Sequence, residues 1–519
     1  MKQNDNIINT FKRAIYGRTL IIVLLILLQI ILYFILAYLL KEYAIYVDYA
    51  FVAVGFVVAI HIISLEIDAY FKIAWLVPIM ISPAFGAVLY LFIHLQNDSK
   101  NMHSKIKKNA IITYSDLHQN KETLNSISDE GFKGLAKYVF EAGHYPVYDN
   151  CDLEFYPLGD DFFPAILEEM EKAKKFIFLE FFIITPGYMW DRVLDVLKRK
   201  VKEGVEIRLM FDGFNTLSNL PNDYTEIMKA CGINCKVFSP MKPVISSLQN
   251  NRDHRKILVV DGKVAFTGGN NLADEYINVI DRFGHWKDSS ILIRGEAVKS
   301  FTMMFLRMWN STGNESSNFA DEIHHYVNYE DFEVKKGSGY VIPYGDCPFD
   351  KDQIGEYIYL DILYNAKKYV HIMTPYLVLN DSLRSALIHA AKRGVDVKII
   401  MPGIPDKPYA FCVARTYYPE LIEAGVKIYE YERGFVHAKE FICDDVITTV
   451  GTVNLDFRSL FLHFECGTLI YDETFAVKAS DDFDRTLEMC NEFTINDYKS
   501  LSTMYRLTGK LLRVAAPLL

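Results

Sequence analysis

At 519 residues the chain exceeds what one hydrophobic core usually organises, so two or more domains are expected. A net charge of −10 argues against a general nucleic-acid binder, whose phosphate-neutralising surface pushes the balance the other way. Eight cysteines follow no metal-ligand or paired-disulfide spacing and read as reduced structural thiols.

The hydrophobic fraction, 51%, is high for a soluble protein, and the excess collects in the first hundred residues. Residues 19–40, "TLIIVLLILLQIILYFILAYLL", are uncharged throughout and long enough to cross roughly 30 Å of hydrocarbon. No short apolar core with a small-residue cleavage site is present, so this run reads as a retained transmembrane helix rather than a signal peptide. Two weaker runs follow: 44–65 carries Asp48, and 71–94 carries Pro78 and Pro83. Either is compatible with a re-entrant or interfacial segment. Lys2, Lys12, Arg13 and Arg18 precede the first run, and Lys100, Lys105, Lys107 and Lys108 follow the third. Both clusters favour the cytoplasmic side, and three full crossings cannot place both there. One later run is therefore expected not to span, or one cluster to be tolerated outside, with the catalytic side cytoplasmic.

A polar connecting segment, 99–145, leads into a repeat. "AKKFIFLEFFI" from Ala173 is echoed by "AKKYVHIMTPY" from Ala366, each a strand-like run of β-branched and aromatic residues. "LKRKVKEGVEIRLMFDG", ending at Gly213, matches "IHAAKRGVDVKIIMPG", ending at Gly403, as helix, glycine stop and buried strand. Alternating strand and helix predicts α/β layers. The expected division is a membrane-anchoring region over 1–98, the connecting segment, and two related α/β halves over 146–330 and 331–519.

The repeat extends to "HRKILVVD", His254 to Asp261, and "HAKEFICD", His437 to Asp444, each His-x-Lys, four residues, then Asp. Asn271 and Asn454 follow at equal distance from their histidines, and aligning "WKDSSILIRG" with "HFECGTLIYD" matches Asp288 with Glu465. One copy alone would be a weak signal; two in register, with amides and carboxylates, predict a shared site. In strand geometry each His-x-Lys pair faces the same side. Two histidines, two lysines and two amides suit the oxygens of a phosphodiester. A neutral imidazole can attack phosphorus while a protonated one releases the alcohol. Carboxylates Asp288 and Glu465 can fix the tautomers, and Lys256, Lys439, Asn271 and Asn454 can stabilise the non-bridging oxygens. The scheme requires no metal or other cofactor. His324 and His325 read as surface residues.

Through both motifs the sequence resembles the phospholipase D superfamily, and within it the bacterial cardiolipin synthases. The stretches that carry the likeness span nearly the whole chain: "KIAWLVPIMISPAFGAVLYLF", "NRDHRKILVVDGKVAFTGGNN", "HWKDSSILIRGEAV", "TPYLVLND", "AGVKIYEYERGFVHAKEFICDDVITTVGTVNLDFRS" and the terminal "APLL". The resemblance implies two α-β-α sandwich halves about a pseudo-twofold axis, with the active site between them. It implies catalytic motifs His254, Lys256, Asp261 and His437, Lys439, Asp444, with His254 as nucleophile through a phosphohistidine and His437 as acid/base. Asp261 and Asp444 are then mainly structural. Gly269 and Thr452 stand where relatives often have Ser, which puts one hydroxyl contact in the first half in doubt. The implied reaction converts two phosphatidylglycerols to cardiolipin and glycerol in the bacterial plasma membrane, without nucleic acid as partner. A phospholipase D-type hydrolase, another phosphatidyltransferase, a nuclease of the same superfamily or a non-catalytic scaffold are the rival readings. The terminal "KSLSTMYRLTGKLLRVAAPLL" is compatible with a basic amphipathic helix on anionic lipid or with an ordinary docked helix.

Overall fold

The computed structural model describes residues 31, 35 and 44–519, other than 218, 242–246, 314–317, 328–336, 338 and 519. The expected membrane run 19–40 and the basic residues before it lie almost entirely outside the described residues. Of the helices among the described residues, one, over Ile45–Ser64, is long and apolar enough to cross a membrane.

The run expected over 71–94 as one hydrophobic segment is two helices, Ala69–Ile81 and Pro83–His94. The cause is local. Ser82, held extended by the proline that follows it, interrupts the helix, and Pro78 lacks the N–H its own turn would use. At 13 and 12 residues these helices span about 20 and 18 Å, short of the roughly 30 Å hydrocarbon core. They fold back on each other where Gly86 lacks a side chain: a Cβ there would lie 2.6 Å from the Ile79 Cα. Tyr70 and Phe71 fix the hairpin to the rest of the chain, their rings 5.3 and 5.9 Å from Phe457.

The first α/β half holds strands β1 (Cys151–Tyr156), β2 (Phe176–Phe181), β3 (Glu206–Asp212), β4 (Asn234–Phe238), β5 (Lys256–Val260), β6 (Val264–Gly268), β7 (His285–Lys287) and β8 (Ser290–Gly295). The second holds β9 (Tyr340–Asp346), β10 (Tyr369–Met373), β11 (Asp396–Pro402), β12 (Lys427–Tyr431), β13 (Gly434–Val436), β14 (Glu440–Cys443), β15 (Ile447–Gly451), β16 (Glu465–Tyr471) and β17 (Cys490–Phe493). The first sheet runs β1-β8-β6-β5-β2-β3-β4, and the second repeats the order as β9-β16-β15-β14-β10-β11-β12 with β17 added at the edge. In both, three parallel strands carry the motif strand antiparallel at their side.

The strands β2, β5 and β6 at the middle of the first sheet are buried along their whole length and are apolar almost throughout, whereas the edge strand β1 alternates, with exposed Asp152 and half-exposed residues. On β5, Ile257 and Val259 enter one core while Leu258 and Val260 enter the other, beneath helices Gly159–Glu171 and Tyr188–Lys202. The cluster that takes Ile257 and Val259 also contains Phe441, Val450 and Leu469 of the second half, so the halves share a core. The glycine stops behave as expected: Gly204 and Gly394 adopt φ of 87° and 92° after helices Tyr188–Lys202 and Asp381–Lys392.

Candidate active site

Each motif histidine sits just before its strand, at the end where the neighbouring parallel strands present their carboxyl ends, the usual place for a site in an α/β sheet. The segment before each histidine crosses into the other half. β13 pairs parallel with β7, and His437 donates its backbone N–H to the Lys287 carbonyl at 2.6 Å. Reciprocally, Asp253 bridges Phe464, and the His254 N–H reaches the Phe464 carbonyl at 2.9 Å.

This exchange decides which carboxylate meets which imidazole. His254 Nδ1 lies 2.9 Å from Glu465 Oε2, and His437 Nδ1 lies 2.6 Å from Asp288 Oδ2. Each histidine is thus oriented from the opposite half. Because an ionised carboxylate only accepts, the proton sits on Nδ1 in both rings and Nε2 is left for chemistry. Asp288 also accepts from the Ser289 N–H, and Glu465 from the Thr452 hydroxyl. At position 269, the counterpart of Thr452, a Cβ would overlap Asp288 Oδ1, so any side chain there requires the Asp288 carboxylate to shift.

Lys256 and Lys439 are buried, and each donates to the carbonyl of its own histidine, Lys256 at 2.5 Å. Burial lowers the Lys256 ammonium to about 8 and the Lys439 ammonium to about 7, against the pull of Glu465 and Asp288. Burial, then both lysines and His437, hold His254 well below the ordinary histidine value. His437 falls to about 4, with burial and Lys439 outweighing Asp288. Four groups from two halves thus lie close enough to lower one another's proton affinity, and both imidazoles are neutral at pH 7.

Asp261 and Asp444, included among the catalytic candidates, lie at the far ends of their strands, about 20 Å from the histidines by strand rise. Asp261 accepts from the backbone N–H groups of Lys174, Lys175 and Phe176 at 2.7–2.8 Å, and Asp444 from those of Lys367, Lys368 and Tyr369 at 2.6–2.9 Å. Each ties the start of a parallel strand to the motif strand. The amides differ from each other. Asn271 accepts from the Ile183 N–H and donates to Tyr276, whereas the Asn454 carbonyl oxygen is buried with no hydrogen-bond partner among the described residues. The first-half amide is thus largely committed to scaffold.

His463 is a site residue the sequence reading passed over. Its ring lies 5.5 Å from His254 and its Nδ1 3.6 Å from Glu465 Oε1. Its place two residues before Glu465, on a strand lead-in where i and i+2 share a side, was the available signal. His254, His463 and Glu465 bring ligand atoms within 4.8 Å of one another, but Lys256 and Lys439 place positive charge at the same spot, which suits an anion better than a cation. Trp286 occupies the corresponding position beside His437, at 5.4 Å. Behind the motif, Arg255 pairs with buried Glu180 at 2.8 Å and Lys287 with Asp482 at 2.6 Å.

A family model described as "Cardiolipin synthase, PLD-like domain" matches residues 166–309 and 359–487. The chain belongs to this family. A cardiolipin synthase of Alkalihalophilus pseudofirmus is 33% identical over 86% of this chain and 88% of its own length. One of Clostridium perfringens is also 33% identical, over 86% of this chain and 94% of its own. An uncharacterised protein of Streptococcus mutans is 44% identical over 89% of the chain and 99% of its own length. Among solved structures, the phosphatidylserine synthase of Haemophilus influenzae shares the fold with a TM-score of 0.55 at 18% identity, over 75% of this chain and 98% of that one.

Proposed function

We propose that this protein is a membrane-attached phosphatidyltransferase that forms cardiolipin and glycerol from two phosphatidylglycerols. The observation that carries the reading is the reciprocal pairing of His254 with Glu465 and His437 with Asp288 around two buried lysines. We also infer that the halves are related by a pseudo-twofold axis through this pocket. Lys256, Lys439 and the Asn454 amide bind the non-bridging oxygens of the phosphodiester, and Asn271 contributes the donor left over from its scaffold bonds.

The anionic phosphate raises the proton affinity of the imidazoles, and His437, backed by Asp288, takes up the proton that makes it an acid. Nε2 of His254 attacks phosphorus, the bond to the glycerol oxygen breaks, and His437 protonates that oxygen so that glycerol leaves. The terminal hydroxyl of a second phosphatidylglycerol then gives its proton to His437 and its oxygen to phosphorus, freeing His254 and yielding cardiolipin. The assignment of His254 as nucleophile follows the family resemblance. Helix Ala44–Ser64, with the segment before it, attaches the site to the plasma membrane, where both lipids diffuse in two dimensions at high effective concentration.

The test is purified full-length enzyme with phosphatidylglycerol in mixed micelles, with cardiolipin, glycerol and phosphatidic acid measured. Cardiolipin and glycerol in equal amounts are expected. Phosphatidic acid as the sole lipid product would identify a hydrolase instead.

A further inference from the structure

The last helix, Thr503–Val514, is docked by the face that a soluble protein would normally leave to water. Its inward side carries Tyr505, Gly509, Leu512 and Arg513. A Cβ on Gly509 would come within 2.6 Å of the Cys412 carbonyl oxygen, so the helix lies directly on Pro408–Ala414. Cys412 Sγ donates to the Tyr505 carbonyl at 3.3 Å, and the Arg513 guanidinium lies 3.9 Å from the centre of the Tyr417 ring. The outward side is an apolar stripe at helical spacing: Met504, Leu507, Leu511 and Val514 are 72%, 52%, 66% and 45% exposed. Lys510 is exposed at its edge and Lys499 just upstream.

Two neighbours say what covers the stripe. The helix and the turn Ala516–Leu518 pack against Ala69–Ile81, the first arm of the apolar hairpin, whose Ile73, Met80 and Ile81 are themselves 45%, 80% and 81% exposed. The stripe thus lies on a helix packed against a hairpin that is itself apolar and exposed. On the other side, Ala516 lines a cavity of about 40 Å³ with Tyr376, Lys407, Asp456 and Phe457. Asp456 stands two residues after Asn454, and the Leu377–Leu455 bridge ties Tyr376 to the same segment, so this cavity lies beside the Asn454 end of the site.

We propose that Thr503–Val514 is a second membrane contact, its Met504–Leu507–Leu511–Val514 stripe set into an anionic bilayer surface beside the hairpin, which holds the mouth of the catalytic pocket against lipid. The exposed lysines match the charge of phosphatidylglycerol headgroups, and apolar residues backed by basic ones are what interfacial helices present. The contact itself stands on the surface alone; its effect on turnover rests on the phosphatidyl-transfer reading.

The experiment uses full-length protein in phosphatidylglycerol vesicles whose acyl chains carry bromine. Leu507→Trp and Leu511→Trp each add an emitter to the stripe, and quenching of the added emission by the brominated lipid is expected. Leu507→Ser/Leu511→Ser should lower the ratio of the rate on vesicles to the rate on soluble short-chain phosphatidylglycerol by about tenfold or more. Unquenched tryptophans overturn the proposal, as they would if residues 19–40 or a second copy of the chain covered the stripe; so does an unchanged rate ratio. Quenching in a protein that makes no cardiolipin would instead refute the phosphatidyl-transfer reading and leave the membrane contact standing.

Discussion

Glu465→Gln tests the crossing of the two halves at its most sensitive point. The substitution keeps the volume of a fully buried side chain while removing its charge. Glu465 Oε2 accepts hydrogen bonds from His254 Nδ1–H at 2.9 Å and from the Thr452 hydroxyl. Loss of one charge-assisted hydrogen bond costs about 1.5–3 kcal/mol, which is about 10- to 150-fold in rate. The upper end is expected, because the new amide can turn its NH2 toward Nδ1. That would move the ring proton to Nε2 and occupy the lone pair needed at phosphorus. The assay is cardiolipin formation by purified enzyme in mixed micelles, with imidazole nitrogen NMR shifts as a second readout. His254 shifts should move in Glu465→Gln and stay in place in Asp288→Asn, while His437 behaves the opposite way. A folded Glu465→Gln enzyme with more than half the normal rate, or one whose His437 shifts move instead, would refute the reasoning.

The lysines predict the pH profile. Ammonium groups lowered to about 8 and about 7 are charged below those values and neutral above them, so KM for phosphatidylglycerol should rise as pH climbs through 7 to 8. With His254 held well below its ordinary value, kcat/KM should stay flat on the acid side through about pH 6.5, where an ordinary histidine would make it fall. Asp261→Ala removes the acceptor of three backbone N–H groups at a residue with φ of 53°. A loss of about 3 kcal/mol, or about 6–12 °C in Tm, is expected by calorimetry, with kcat per folded molecule nearly unchanged. Gly269→Ser drives a Cβ into the Asp288 carboxylate and should cut the rate at least tenfold, read alongside a Tm that shows the protein still folded.

The repeat, the motif strands and the glycine stops were legible because each is a local pattern: "AKKFIFLEF" and "AKKYVHIM" both become the parallel strand that pairs with the motif strand. Asp288 and Glu465 were found by aligning the copies, but a linear alignment pairs each with the histidine of its own half. Only the β7–β13 pairing and the Asp253–Phe464 bridge show that the partners are exchanged. The run 71–94 was legible as compatible with a re-entrant or interfacial segment through Pro78 and Pro83, but not the place of its turn: hydropathy sums over the run, whereas Ser82 and Pro83 divide it and Gly86 lets the two pieces fold together. Asn271 matched Asn454 in spacing, yet Tyr276 and Ile183 claim the first amide and nothing among the described residues claims the carbonyl of the second.

The exchange of lead-in segments also bears on the life of the nascent chain. His254 is complete in sequence long before the ribosome reaches Glu465, and until that late strand arrives its ring has no carboxylate to set the tautomer. His437, for its part, pairs with a carboxylate made 149 residues earlier. A half-made or truncated polypeptide therefore lacks the His254–Glu465 pair, which forms only when the second sheet docks on the first.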